Sequence, residues 1–251
     1  MHSEKHKGEI KMNVIKLKNA EEIGKAVAEI IINQVNAKPD SVLGFATGAS
    51  PVPTYKCIID AFEKGQVSLK DITTFNLDEY CGLNRENVNS YYYFMKDNLF
   101  GKTDVDFSKV NFLSGLSGDI EAECKAYQDA IEKAGGIDIQ LLGVGTNGHI
   151  GFNEPSDSFS DGPFKVKLAQ STIDANSKYF ENDDMPLYAL TMGIGDIMRA
   201  SKIILIATGK AKANAVYNMV KGEVSPSCPA SVLQNHPDAT IFIDEESAEL
   251  L

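Results

Sequence analysis

Short apolar runs that end in a glycine-containing turn and lead toward a helix recur along this chain, and that alternation narrows the possible folds most. Ser41–Ala46 runs into Thr47-Gly48-Ala49-Ser50-Pro51, followed by apolar residues at helical spacing: Val52, Tyr55, Ile58, Ile59 and Phe62. Ser50 is a suitable N-cap there and Pro51 a suitable first helical residue. Ile203–Ala207 runs into Thr208-Gly209-Lys210-Ala211-Lys212 and a helix to about residue 221. Ile137–Leu142 ends in the glycines of a longer loop. Further strands are expected at 13–17, 72–77, 110–113 and 241–243, with helices at 20–36, 90–100 and 120–134. Strands alternating with helices imply a single doubly wound, Rossmann-like α/β domain built on one mostly parallel sheet.

With 251 residues the chain can bury a sizeable core. Its net charge of −11 argues against a nucleic-acid or anionic-membrane surface, which needs a basic patch. Cys57, Cys81, Cys124 and Cys228 are widely spaced, a pattern suited to free thiols in the cytoplasm rather than to a zinc site. No apolar run approaches the roughly 18 residues of a membrane span. Residues 1–12 read as a polar tail or tag, and residues 13–251 as the domain. Residues 156–186 are polar, with an acidic run at Glu181-Asn182-Asp183-Asp184, and read as a mobile lid passing over the site.

Chemistry gathers in the loop Gly143-Val144-Gly145-Thr146-Asn147-Gly148-His149-Ile150-Gly151-Phe152-Asn153-Glu154-Pro155. Its glycines permit tight turns and close approach to a ligand. An imidazole, an amide and a carboxylate stand among them, the side chains that acid–base catalysis needs near neutral pH. A structural turn holding a satisfied histidine is the competing reading, and the position at a strand's carboxyl end favours function. Asp78 and Glu79 follow another strand directly. The backbone amides of Gly48, Ala49 and Ser50 would form an anion site at a helix start, with Lys212 a plausible partner. Tyr91-Tyr92-Tyr93-Phe94 reads as core rather than as a stacking platform.

Asn76-Leu77-Asp78-Glu79-Tyr80 and Gly148 through Pro155, together with the Gly48 loop, closely resemble the glucosamine-6-phosphate deaminase family from about residue 13 onward. The resemblance implies conversion of glucosamine 6-phosphate and water to fructose 6-phosphate and ammonia, with no metal or cofactor. It implies Asp78 as the base between C2 and C1, and His149, supported by Glu154, as the ring-opening group. Phosphate would lie on Gly48, Ala49, Ser50, Lys178 and Lys212. Lys178 stands where the family often has Arg, keeping the charge without the planar fork. Asn147 replaces an Asp of many members; it cannot supply negative charge but can accept a hydrogen bond and orient the imidazole ring. The 6-phosphogluconolactonases share the fold and the Gly-His element, so a lactonase-like hydrolase is one alternative and a non-catalytic sugar-phosphate sensor is another. Regulated members carry basic residues where this chain has Phe164 and Val166, so a monomer or small homo-oligomer without that activation is expected.

Overall fold

The computed structural model describes residues 12–180 and 184–251. The expected tail up to residue 11, and Glu181-Asn182-Asp183 of the acidic run, lie outside the described residues.

Seven parallel strands form the main sheet. They are β1 (Asn13–Lys16), β2 (Val42–Phe45), β3 (Thr73–Asn76), β5 (Val110–Asn111), β6 (Ile139–Gly143), β9 (Lys202–Ala207) and β10 (Ala239–Ile243). Their spatial order is β1-β10-β9-β6-β2-β3-β5. Two hydrophobic cores cover the two faces. On one, α1 (Ala20–Ala37), α2 (Val52–Glu63) and α3 (Tyr91–Asn98) contribute Ile23, Val27, Tyr55, Ile58 and Met95. On the other, α4 (Ile120–Lys133), α6 (Ile194–Met198) and α7 (Ala213–Lys221) contribute Tyr127, Ile131, Ile197, Val216 and Met219. Helices α1, α3 and α4 start where the sequence provides a side-chain acceptor. Asn19 accepts from Glu22 N, Ser90 from Tyr93 N and Asp119 from Ala122 N.

Chain order reverses between β6 and β2, and ligands of open α/β sheets bind outside the strand carboxyl ends at such a point. The loops after β2 and β6 leave the sheet on either side of it.

The structure departs from the sequence reading in three places. A second, antiparallel sheet exists, in which β4 (Asp78–Tyr80) pairs with β8 (Tyr188–Thr191) and β8 with β7 (Phe164–Lys167). Such short strands, some mostly polar, carry little apolar periodicity. The excursion therefore contains β7 and a helix, α5 (Gln170–Asn176). Ser50 does not cap α2. The preceding turn is closed by Val52 N donating to Ala49 O at 3.3 Å, and Pro51 takes the cap position without a side-chain bond.

Candidate active site

A cleft of about 670 Å³ opens at the switch point. Asp78, His149, Lys212 and the loop Gly48, Ala49 and Ser50 all line it.

Asp78 is only 6 % exposed, and its carboxylate accepts no hydrogen bond among the described residues. Strand β3 ends at Asn76, and the chain turns into the small sheet at Asp78, whose register partner is Thr191. Burial, with the adjacent Glu79 charge adding to it, pushes the Asp78 carboxyl well above the ordinary carboxylate range. Glu79 serves the fold instead. Its Oε1 accepts from Tyr80 N and Tyr91 N and its Oε2 from Tyr92 N, each at 2.9 Å, which seats α3 against the cleft.

The loop after β6 folds back tightly. Gly145 N donates to His149 O at 2.8 Å, and Gly148, with φ of 87°, donates its N–H to Gly145 O at 3.0 Å. The His149 ring rests on Gly145, and its Nδ1 lies 3.3 Å from Glu154 Oε2. Asn147 Oδ1 accepts from the backbone N–H of His149 at 3.2 Å, and Asn147 Nδ2 donates to Glu154 Oε2 at 2.8 Å. Asn147 thus orients the backbone and the carboxylate, and Glu154, not Asn147, faces the imidazole. Asn147 accepts a hydrogen bond, as expected, but from the His149 backbone rather than from the ring. Burial alone would raise the Glu154 carboxyl; the His149 ring, the Thr172 hydroxyl and the Asn147 amide outweigh it and hold it at about 2.

Across the cleft, the N–H groups of Gly48, Ala49 and Ser50 make no hydrogen bond among the described residues, and Gly48 takes a φ of 107°. The Ser50 hydroxyl, released from capping, belongs to the same wall. Lys212, half-buried at the end of a short 3-10 turn (Lys210–Lys212), has no anionic partner among the described residues, and burial lowers its pKa. Free amides, a free hydroxyl and an unneutralised ammonium on one wall are the donors that an anion needs. Lys178 does not line this cleft: it is exposed, with Nζ 5.0 Å from the Tyr179 ring centroid. Among the described residues, no group of three or more His, Cys, Asp or Glu side chains is arranged to hold a metal ion.

The sequence reading missed an aromatic wall. Tyr91 stacks on Phe152 at 5.8 Å, Tyr80 meets Tyr91, Phe152 and Phe180, and Asn176 donates to the Tyr80 hydroxyl at 3.2 Å. Tyr91 and Phe94 pack against the core, as expected, and also line the cleft, while Tyr92 packs on Phe112. Thr172 was also missed; its hydroxyl donates to Glu154 Oε1 at 2.5 Å from eighteen positions along the chain. No local pattern marks such a partner.

An α/β fold with an anion-holding loop and a separate acid–base constellation at its switch point defines an enzyme that works on a small anionic molecule. The chain belongs to the glucosamine-6-phosphate isomerase/6-phosphogluconolactonase family, whose model matches residues 17–242. It is 47 % identical over 241 residues to a glucosamine-6-phosphate deaminase of Clostridium botulinum, covering 96 % of this chain and 99 % of that protein. A Thermoanaerobacter pseudethanolicus protein of the same name is 46 % identical, over 96 % of this chain and 95 % of its own length. Among solved structures, a monomeric glucosamine-6-phosphate deaminase superposes with a TM-score of 0.93 at 42 % identity, covering 96 % of this chain and all of the other. The Trypanosoma brucei 6-phosphogluconolactonase, with a TM-score of 0.74 at 18 % identity over 96 % of this chain and 99 % of its own, shares the fold.

Proposed function

We propose that this cleft converts D-glucosamine 6-phosphate and water to D-fructose 6-phosphate and ammonia. One observation carries the reading: a buried, unpartnered carboxylate and a carboxylate-backed imidazole line one cleft with an unneutralised anion site. Deaminases at 46–47 % identity over nearly the whole chain support the substrate.

Phosphate binds the amides of Gly48, Ala49 and Ser50, the Ser50 hydroxyl and Lys212, fixing the far end of the sugar. With Nδ1 on the Glu154 side of the ring, 3.3 Å from Oε2, His149 has Nε2 available to take the proton of the C1 hydroxyl and to return one to the ring oxygen, opening the pyranose. Asp78 then removes the C2 proton. As O1 gains a proton, an enolamine spans C1 and C2. Asp78 delivers its proton to C1, leaving an iminium at C2. Water adds there and ammonia departs, leaving the ketone. A carbon acid of this kind is weak, and the raised Asp78 pKa makes the carboxylate a stronger base than an exposed one. The described part of the excursion, residues 156–180 and 184–186, closes over the sugar, bringing Lys178 to the phosphate, and the enzyme works in the cytoplasm.

Incubation with glucosamine 6-phosphate, measuring ammonia and fructose 6-phosphate together, tests the reading. Equal amounts of both are expected. Hydrolysis of 6-phosphogluconolactone without ammonia release would support the lactonase alternative, and binding of fructose 6-phosphate without turnover would support a sensor.

A further inference from the structure

Glu154 divides its carboxylate between two parts of the chain. Oε2 faces the loop after β6, accepting from Asn147 Nδ2 at 2.8 Å and lying 3.3 Å from His149 Nδ1. Oε1 faces α5, accepting from Thr172 Oγ1 at 2.5 Å and from Ala169 N at 3.4 Å. A carboxylate turns about a soft terminal torsion, so its plane is set by its donors. An ionised carboxylate only accepts, so the Thr172 hydroxyl commits its single hydrogen to Oε1. Thr172 is 4 % exposed, and it also lines the cleft. One helical turn further on, Asn176 Nδ2 ties the other end of α5 to the Tyr80 hydroxyl at 3.2 Å.

We propose that Thr172 is a positioning residue for His149, its hydroxyl holding the Glu154 plane so that Oε2 stays beside Nδ1. The inference rests on the roles given above to His149 and Glu154. Without the hydroxyl, Oε1 keeps only the Ala169 N–H, the carboxylate turns more freely, and the imidazole loses its fixed orientation. Among the described residues, the groups bonded to or paired with Glu154 are the titratable His149 and the uncharged Asn147, Thr172 and Ala169 N. Loss of the Thr172 donor therefore raises the pH at which Glu154 protonates.

The test compares Thr172→Val, which keeps the shape without the hydroxyl, with Thr172→Ser, which restores it. Ammonia release from glucosamine 6-phosphate is followed across pH, with wild type and His149→Gln alongside. Thr172→Val is expected to lower kcat about 10- to 100-fold, the scale of a misplaced catalytic group. KM should change little, and the acid limb of the profile should move to higher pH. Thr172→Ser should retain most of the wild-type kcat and the wild-type profile. A wild-type kcat and profile in Thr172→Val, or an equal loss in Val and Ser, would overturn the inference. Wild-type turnover by His149→Gln would instead remove the role assigned to His149.

Discussion

The His149 ring occupies the space that a side chain at Gly145 would fill: a Cβ there would lie 2.2 Å from Cε1 and 2.4 Å from Nδ1. An imidazole braced against Glu154 has little room to yield, so Gly145→Ala should push the ring off Oε2. Turnover is expected to fall about 100-fold, because small misplacements of a catalytic group carry costs of that size. Substrate affinity should change far less, since the anion wall is untouched. A Gly145→Ala variant with wild-type kcat would show that the ring needs no fixed position. If His149 opens the pyranose, His149→Gln should slow an open-chain analogue less than the cyclic substrate; equal losses would contradict that role.

Asp78→Asn should remove about 10²–10⁴-fold of turnover, the usual contribution of a positioned base, while leaving substrate binding nearly intact. Exchange of the C2 hydrogen with deuterated water reads this directly, and wild-type exchange in the variant would assign the base elsewhere. The same substitution should stabilise the fold at neutral pH. Folded Asp78 keeps its proton above the pH at which the unfolded chain has lost it, because burial and Glu79 raise its pKa. In that window the unfolded state binds fewer protons, so stability falls as pH rises from the unfolded value toward the folded one. An amide carries no such penalty. Thermal melts of both proteins should separate in favour of Asp78→Asn as pH rises, and identical melts across pH would contradict the buried charge.

Glu154 behaves in the opposite sense. Its carboxyl is held at about 2 against an ordinary 4.5, so it stabilises the fold above the unfolded value and loses that contribution as pH falls through the folded one. The shift corresponds to an upper bound on the order of 3 kcal/mol. Glu154→Gln should therefore lower the melting temperature at neutral pH and converge on wild type near pH 2. A constant difference between the two across that range would contradict the linkage.

Much of this site was legible in the sequence because its loops carry their own chemistry. Glycines bracketing His149 and acids at a strand end favour a functional turn over a structural one, and Asp78, His149 and the Gly48–Ser50 loop do meet in one cleft. The main parallel sheet was legible for the same kind of reason, since runs such as Ile203–Ala207 are buried on both faces. The small antiparallel sheet was not, because β7 alternates Phe164, Lys165, Val166 and Lys167 over a span too short to count. Ser50 read as a cap on composition, but backbone turn geometry set the helix start and left the hydroxyl facing the cleft. Thr172 and Tyr80 depend on long-range pairing, which no local pattern encodes.

Lys212 is half-buried without a counter-charge, so a phosphate gains most there. Lys212→Ala should cost about 1.5–3 kcal/mol of binding, expressed mainly in KM. Lys178 is exposed and turned over Tyr179, so Lys178→Ala should raise KM less, and only to the extent that the turn carrying it closes over the sugar. Titration with inorganic phosphate separates the two, since it reports the wall without the sugar. An unchanged KM and phosphate affinity in Lys212→Ala would take it out of the anion site.

N-acetylglucosamine 6-phosphate should not activate this enzyme. The family resemblance puts Phe164 and Val166 where regulated members carry basic residues, and β7 half-buries both, with Val166 packed against the Tyr80 and Phe152 cluster. Lys165 and Lys167 point to the opposite, exposed side of the strand, and Lys165 Nζ lies 4.8 Å from the Tyr188 ring centroid. A one-residue slip that brought the lysines inward would also expose Phe164 and Val166. A phosphate dianion needs paired donors to offset its lost hydration, and a ligand shifts two states only if it binds them differently. Substrate kinetics should therefore be hyperbolic with or without the acetylated sugar, as measured by ammonia release at several substrate concentrations. Sigmoidal kinetics that become hyperbolic on its addition would show that Lys165 and Lys167 form the cluster from a different register.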